Sequence, residues 1–313
     1  MARPAASADG TKQPEIPRPR RTLLRKLTAS VERAHALKAS TADARKRSPV
    51  LDATFETIER DSDLGGAMLA GALSYRLFIF ALPLAFFFVA GAGLLAAAIG
   101  SEPHAVANSV GLAGVVTKQV ASASSDSSNW WVVLSSFAVL AYATRVLFRA
   151  VSIVHALAWE RSARSVRLST RAFGIFAAAL VGQVALGTGV GALEHRTAIG
   201  GLIILAVYVF AAGGLWLVIS LQVPHATARW NELLPGSLFY GIGLTGVAAF
   251  NVLILGWLIE SKSSTYGALG AAATLLLGFF FLGRIMVGAA VLNATLHERR
   301  VRSDAGRSGG GGI

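Results

Sequence analysis

The fold is decided by residues 198–221, which read AIGGLIILAVYVFAAGGLWLVISL and contain no charged side chain. An α-helix rises 1.5 Å per residue, so about 20 apolar residues suffice to cross the roughly 30 Å hydrocarbon core of a bilayer. An uncharged run of this length is typical of a transmembrane helix rather than of a helix in a soluble core.

Five further stretches have the same apolar character, at residues 66–99, 130–158, 172–193, 235–259 and 267–294. Together the six runs predict an all-α polytopic membrane protein with six transmembrane helices. The third and fourth runs are joined by only about five residues, Glu194 to Ala198, which we interpret as a tight helical hairpin; one broken span is the alternative. The composition agrees, because 15% charged residues is well below the roughly 25% of soluble chains.

The segments outside the spans give the predicted domain organisation. Residues 1–48 are rich in Pro, Ala, Ser, Lys and Arg and predict a disordered basic cytoplasmic tail, with a short helix around 23–37 as one option. Ser48-Pro49 predicts a helix start, and residues 49–64 an amphipathic helix lying at the membrane interface. The six-helix domain is predicted at 65–295, with a short surface helix near 106–116, and residues 296–313 as a basic, Gly-rich cytoplasmic tail.

The distribution of positive charge predicts the orientation. The formal net charge is +12, which could suggest a nucleic-acid partner, but 13 of the 29 Lys and Arg precede residue 61 and most others lie between apolar runs. The three alternate loops hold only Lys118, Arg196 and Lys262. This asymmetry favours a bacterial cytoplasmic membrane protein with both termini in the cytoplasm, whose partners are anionic membrane lipids and not nucleic acid.

Motifs for soluble catalysis are missing from the sequence. It contains no P-loop, HExxH or GxSxG pattern, no cysteine and no close pair among its six histidines. Glu232 and Glu260 are interpreted as isolated, solvated loop acids, and His155 as a core or interfacial histidine. We therefore expect no metal site, no cofactor and no catalytic residues, although a membrane-embedded enzyme stays open.

Four arginines fall within the apolar runs: Arg76, Arg145, Arg149 and Arg284. No Asp or Glu lies inside a span to pair with them, and their depths place all four in the cytoplasmic third of the membrane. One interpretation is that they snorkel to the inner headgroups. The other is a cationic vestibule that binds a phosphate or carboxylate, which arginine can grip with two hydrogen bonds.

Two neighbours of these arginines are also candidates for function. Tyr75, next to Arg76, is a candidate substrate contact or else an aromatic residue of the membrane interface. Pro83 is a candidate kink that could gate the first span.

The order and spacing of several short motifs resemble the BrkB/YihY family of bacterial inner-membrane proteins, once mislabelled ribonuclease BN. The motifs lie between about residues 50 and 297: Ala72-Leu73-Ser74-Tyr75 with Leu82-Pro83, Phe148-Arg149-Ala150 to Ala158-Trp159, Gln222-Val223-Pro224 to Leu234-Pro235-Gly236, Tyr266-Gly267, and Gly288-Ala289 to Asn293-Ala294. The acidic residue of the last motif is missing. The resemblance implies a six-helix membrane protein with suggested roles in envelope lipid transport or surface resistance, and the ribonuclease label does not carry over.

The leading functional hypothesis is a translocator or carrier of an anionic lipid or lipid-linked envelope component. In it, the arginines bind the phosphate and the first, second and sixth spans line the route. Two rivals remain: a membrane scaffold that organises envelope machinery through its basic tail, and a membrane-embedded enzyme.

Overall fold

The computed structural model describes residues 45, 48–99, 130–166, 169–191, 198–250 and 256–309. Two predicted features lie almost wholly outside these residues: the disordered tail with its helix near 23–37, and the surface helix near 106–116. Within the described residues the protein is helical, with no strand, and it divides into two compact units, residues 1–55 and 56–313. The helices are α1 (Pro49–Asp63), α2 (Gly66–Ile99), α3 (Trp130–Ala158), α4 (Thr170–Gly191), α5 (Ala198–Gln222), α6 (Leu234–Phe250) and α7 (Gly256–Gly309), with short 3₁₀ turns at Ala163–Ser165 and Trp230–Glu232.

Helix α1 begins at Pro49, as Ser48-Pro49 predicts. The Ser48 hydroxyl accepts a hydrogen bond from the Leu51 N–H at 3.4 Å, and the Ser48 carbonyl accepts one from the Asp52 N–H at 3.1 Å. A serine at the N-cap satisfies donors that the first helical turn leaves free, and proline loses nothing at the first position. The interfacial placement of this helix remains a prediction.

Four described helical segments are long and apolar enough to cross a membrane: Gly66–Ala85, Leu134–Ala158, Ile203–Gln222 and Ala272–Arg307. Leu234–Ala248 is a shorter apolar helix. Large apolar side chains also face outward, among them Met68, Val181 and Phe210. An apolar exterior on apolar helices is expected where lipid, not water, surrounds the bundle. The count of six spans stays a prediction.

Helix α7 is the central element of the bundle. It packs against α2 and α6 and, less extensively, against α3. Helices α2 and α3 pack on each other, as do α4 with α5 and α5 with α6. The bundle therefore consists of two groups, α2–α3–α7 and α4–α5–α6, joined mainly through α7 and α6.

Helix α7 extends beyond the predicted sixth span at both ends. The sixth span was placed at 267–294, after a loop and before a tail, whereas α7 runs from Gly256 to Gly309. The fifth span is predicted at 235–259, and α6 covers its described part up to Phe250. No proline interrupts residues 256–309, and the helix remains stable beyond its apolar part because Arg299 and Arg302 near its end bind Glu56.

Two of the quoted motifs meet where α6 begins. The Asn293 carboxamide of α7 accepts a hydrogen bond from the Gly236 N–H at 2.8 Å and donates one to the Leu233 carbonyl at 3.1 Å. Asn293 is 2% exposed. A Cβ on Gly236 would collide with this side chain, so glycine is needed for the close approach. Asn293 thus satisfies backbone groups of the first turn of α6 from another helix.

We expect Asn293→Leu to lower the free energy of unfolding by about 3 kcal/mol, because a buried N–H and a buried carbonyl lose their partner. Chemical or thermal unfolding of the detergent-solubilised protein measures this. The matched control is Thr295→Val, whose equally buried hydroxyl bonds the carbonyl of Val291 in its own helix. Equal losses for the two variants would contradict the capping role of Asn293.

Candidate functional site

A groove of about 460 Å³ lies between α2 and α3. Its lining is apolar except for one guanidinium and one phenol, and consists of Arg76, Ile79, Leu82, Pro83, Val139, Tyr142, Ala143 and Val146. These positions recur at helical spacing on one face of each helix. Leu82, Val139 and Tyr142 are exposed, at 47%, 55% and 71%, so the groove opens to the outside of the bundle.

Pro83 is buried at this groove, inside a helix that continues through it. Proline has no N–H, so it cannot donate the helical hydrogen bond that the Ile79 carbonyl would normally accept. Both residues line the groove. The proposed gating role of Pro83 remains a prediction, but the position places its weakened turn at the groove wall.

The predicted arginine cluster is only partly assembled. Arg76 lines the groove, whereas Arg145, Arg149 and Tyr75 are exposed and lie outside its lining. Arg145 and Arg149 follow Tyr142 by three and seven positions and so share a face of α3 with it. Among the residues that the structure describes, none of these three arginines has an acidic partner.

Arg284 differs from the other three, and the expectation that no acid pairs with it was wrong. Its guanidinium donates two hydrogen bonds to the Asp61 carboxylate, at 3.1 and 2.9 Å. The Asp61 side chain is 17% exposed. Asp61 comes from α1, outside any span, so a search for acids within the spans could not find it. Parallel bonds of this kind fix geometry as well as charge.

Two glycines between α1 and α2 allow Asp61 to pair with Arg284. Gly65 has φ +64°, a left-handed conformation that glycine adopts without strain, and it separates α1 from α2. At Gly66 a Cβ would strike the Asp61 carboxylate. The Gly65-Gly66 pair therefore both turns the chain and leaves room for the Asp61 side chain.

Arg60 connects α1 to the end of α3 and to α7. It donates to the Ala158 carbonyl at the end of α3 at 2.9 Å and binds the carboxylates of Glu160 at 3.2 Å and Glu298 at 2.7 Å. Its side chain is 12% exposed. The last carbonyls of a helix have no partner within that helix, so Arg60 completes the end of α3. Glu160 has φ +53°, the left-handed conformation common just after a helix.

Glu232 was interpreted as an isolated, solvated acid, and this was wrong. Its carboxylate lies 2.7 Å from His297 Nδ1 and 3.8 Å from an Arg300 nitrogen, and it accepts a hydrogen bond from the Arg229 N–H at 3.2 Å. Burial alone would raise the pKa of Glu232, but these partners outweigh it and hold the pKa below the ordinary value. The contact ties the loop before α6 to α7.

Glu56 forms a similar contact between α1 and α7. It binds Arg299 at 2.7 Å and also binds Arg302. Desolvation acts to raise the pKa of Glu56, yet the hydrogen bonds and charges of the two arginines lower it overall. We call the whole set the charged end of the bundle: Glu56, Arg60, Asp61, Glu160, Glu232, Arg284, His297, Glu298, Arg299, Arg300 and Arg302.

The charged end was missed because its partners are far apart in sequence. Asp61 and Arg284 are separated by 223 residues. One signal was present: the acids of α1 are concentrated just before the first apolar run, while basic residues follow the last one. In the described part of the chain, no group of three potential metal ligands occurs.

We expect Arg284→Gln to lower the thermal stability of the purified protein, because Asp61 is left without its counter-charge in a partly buried site. Asp61→Asn should cost a similar amount, and the double variant little more than either single change. The matched control is Arg145→Gln, which removes an exposed arginine. A destabilisation by Arg145→Gln equal to that by Arg284→Gln would contradict the assignment.

The lowered pKa values of Glu56 and Glu232 predict an acid-sensitive charged end. A glutamate with a folded-state pKa below its unfolded value of 4.5 stabilises the fold above that value, and this contribution is lost as the pH falls through the lowered pKa. Melting temperatures measured from pH 7 to about pH 3 should therefore fall at the acid end. The Glu232→Gln variant should have a lower melting temperature at pH 7, and its melting temperature should fall less as the pH is lowered. A pH dependence identical to that of the unaltered protein would count against the Glu232 contacts.

One of three comparisons with known proteins identifies a family for this chain. No curated protein and no solved structure matches the chain. A family model, described as virulence factor BrkB, matches residues 57–309, which include α2 to α7, the groove and every member of the charged end except Glu56. The match covers most of the chain and confirms the resemblance drawn from the short motifs. This chain is therefore a membrane protein of the BrkB family.

Proposed function

We propose that this protein is a translocator or carrier of an anionic lipid, or of a lipid-linked envelope component, in the bacterial cytoplasmic membrane. The observation that carries the proposal is the open apolar groove with Arg76 in its wall. A volume of about 460 Å³ is within the range of small-molecule sites, and the lining is suited to a hydrocarbon chain.

The position of the groove supports a lipid as the occupant. Its α2 residues belong to the apolar segment Gly66–Ala85 and its α3 residues to Leu134–Ala158, both long and apolar enough to span a bilayer. A groove on the outer surface of two such helices faces acyl chains rather than water. The exposed side chains of Leu82, Val139 and Tyr142 would contact those chains at the groove mouth.

Arg76 supplies the affinity for an anion. An arginine in the membrane without a counter-charge costs roughly 2.5–3.5 kcal/mol on insertion scales, and a phosphate gripped by the guanidinium offsets that cost. Arg145 and Arg149, on the adjoining face of α3, would attract further headgroups. With both termini cytoplasmic, as the loop charges predict, the arginines lie toward the inner leaflet, where anionic lipids are abundant.

Arg284 has a smaller part in this proposal than in the original hypothesis. Its two bonds to Asp61 already satisfy its charge. Pro83 would let α2 flex beside the lipid, since the turn it interrupts lines the groove. Tyr75 lies next to Arg76 on the exposed surface and would rest among the headgroups or chains.

The test is movement of a fluorescent phosphatidylglycerol between leaflets of proteoliposomes that contain the purified protein alone. We expect Val139→Trp to slow movement at least several-fold, because the indole fills the groove. The matched control is Val181→Trp on α4, which is also exposed and lies outside the groove lining, and this variant should move lipid at the unaltered rate. Arg76→Leu should abolish movement and Arg76→Lys restore part of it, because lysine lacks the planar fork.

The same proteoliposomes distinguish a lipid carrier from a scaffold and from an enzyme. A scaffold would leave the lipid in place in the absence of partners, and an enzyme would change the mass of the lipid, which mass spectrometry detects. Equal rates for Val139→Trp and Val181→Trp would remove the groove from the pathway. Full activity of Arg145→Leu at normal abundance would remove Arg145 from the site and leave Arg76 as its anion-binding group.

A further inference from the structure

The buried hydroxyl of Ser220 on α5 differs from five other buried hydroxyls because it has no hydrogen-bond partner among the described residues. Five buried hydroxyls bond back to a carbonyl three or four residues earlier in their own helix: Ser74, Thr144, Ser152, Ser237 and Thr295. The Ser220 side chain is as deeply buried, at 1% exposed, but its Oγ has no partner among the described residues. Ser220 therefore lacks the back-bond to its own helix that buried serines and threonines commonly form.

Two more unpartnered polar atoms occur beside it. Trp216 precedes Ser220 by four positions, on the same face of α5, and is 1% exposed. The Trp216 ring lies 5.7 Å from the ring of His155 on α3, which is 3% exposed. Within the described part of the chain, Trp216 Nε1 and His155 Nε2 both lack a hydrogen-bond partner.

The chemistry of the three atoms is complementary. His155 Nδ1 lies 3.0 Å from the Val151 carbonyl, which can only accept, so the proton is on Nδ1 and Nε2 is an acceptor. Trp216 Nε1–H can only donate, and its ring plane is fixed by stacking on Tyr240 at 4.2 Å and 9°. Ser220 Oγ can do either. A neutral guest that both donates and accepts satisfies all three, whereas a bare cation or anion does not.

We propose that His155, Trp216 and Ser220 form a buried binding site for one water molecule, which links α3 to α5. The water accepts from Trp216, donates to His155 and exchanges a hydrogen bond with Ser220, which is the usual number of about three bonds for a buried water. Without the water, each of the three buried polar atoms would lack a hydrogen bond, and each would lower the free energy of unfolding. The site lies where the α2–α3–α7 group meets the α4–α5–α6 group, and it does not depend on the proposed lipid transport.

The test is X-ray hydroxyl-radical footprinting of the full-length protein in detergent, with oxidation located by mass spectrometry. Radiolysis of a bound water oxidises the side chains that touch it, even when bulk solvent cannot reach them. With each rate divided by the intrinsic reactivity of its residue type toward hydroxyl radical, we expect Trp216 and His155 to be oxidised several-fold faster than Phe148 and Phe176, which are also buried. Normalised oxidation of Trp216 no faster than that of Phe148 would overturn the proposal.

A pair of serine variants provides a second readout. If the site is dry, Ser220→Ala removes an unsatisfied hydroxyl and raises the melting temperature. If the site holds a water, the same change removes one hydrogen-bond partner of that water. We then expect a lower melting temperature and slower oxidation of Trp216. Ser152→Ala is the matched control, because its buried hydroxyl already bonds the Phe148 carbonyl, and it should leave Trp216 oxidation unchanged. A higher melting temperature for Ser220→Ala would reject the water site.

Discussion

The bonds between Arg284 and Asp61 are the interaction on which the arrangement of the charged end depends. A guanidinium on a long apolar helix needs a counter-charge, and the apolar runs of α7 and its neighbours contain no acid. Asp61 can supply it only because the chain turns at Gly65-Gly66 between α1 and α2. The same turn brings Arg60 to the end of α3 and Glu56 to the last turns of α7. One electrostatic requirement thus fixes the start of the bundle.

The arginines of the apolar helices fall into two groups, according to whether an acid of the protein pairs with them. Arg284 is paired with the Asp61 carboxylate within the protein. Arg76, Arg145 and Arg149 are exposed, and no acid in the described part of the chain neutralises them, so lipid phosphates are the counter-charges that a membrane offers. Arg76 alone also adjoins an apolar groove. This combination of a charge and a hydrocarbon-like surface is what distinguishes it as the proposed headgroup ligand.

Backbone polar groups follow the same rule as the charges. Asn293 satisfies the start of α6, Arg60 the end of α3, and Ser48 the start of α1. The Ser48 bond is local and exposed, whereas Asn293 and Arg60 reach the helix ends from distant parts of the chain. Where such a helix end is shielded from water, an unsatisfied backbone group would be costly, so a side chain from another helix replaces the water. The three unpaired atoms at His155, Trp216 and Ser220 depart from this rule, which is why they point to a bound water.

The sequence by itself determined the helical class, the positions of most helices, the start of α1 and the family, because apolar runs, caps and short motifs are local patterns. It also identified Arg76 and Pro83, which share the groove. Only the tertiary structure decided that Arg284 is paired, that Glu232 binds His297, and that the groove excludes Arg145 and Arg149. These outcomes depend on which helix faces which, and partners more than 60 residues apart leave no periodic signal in one sequence. The contacts of Arg299 and Arg302 on α7 with Glu56 on α1 are long-range in the same way.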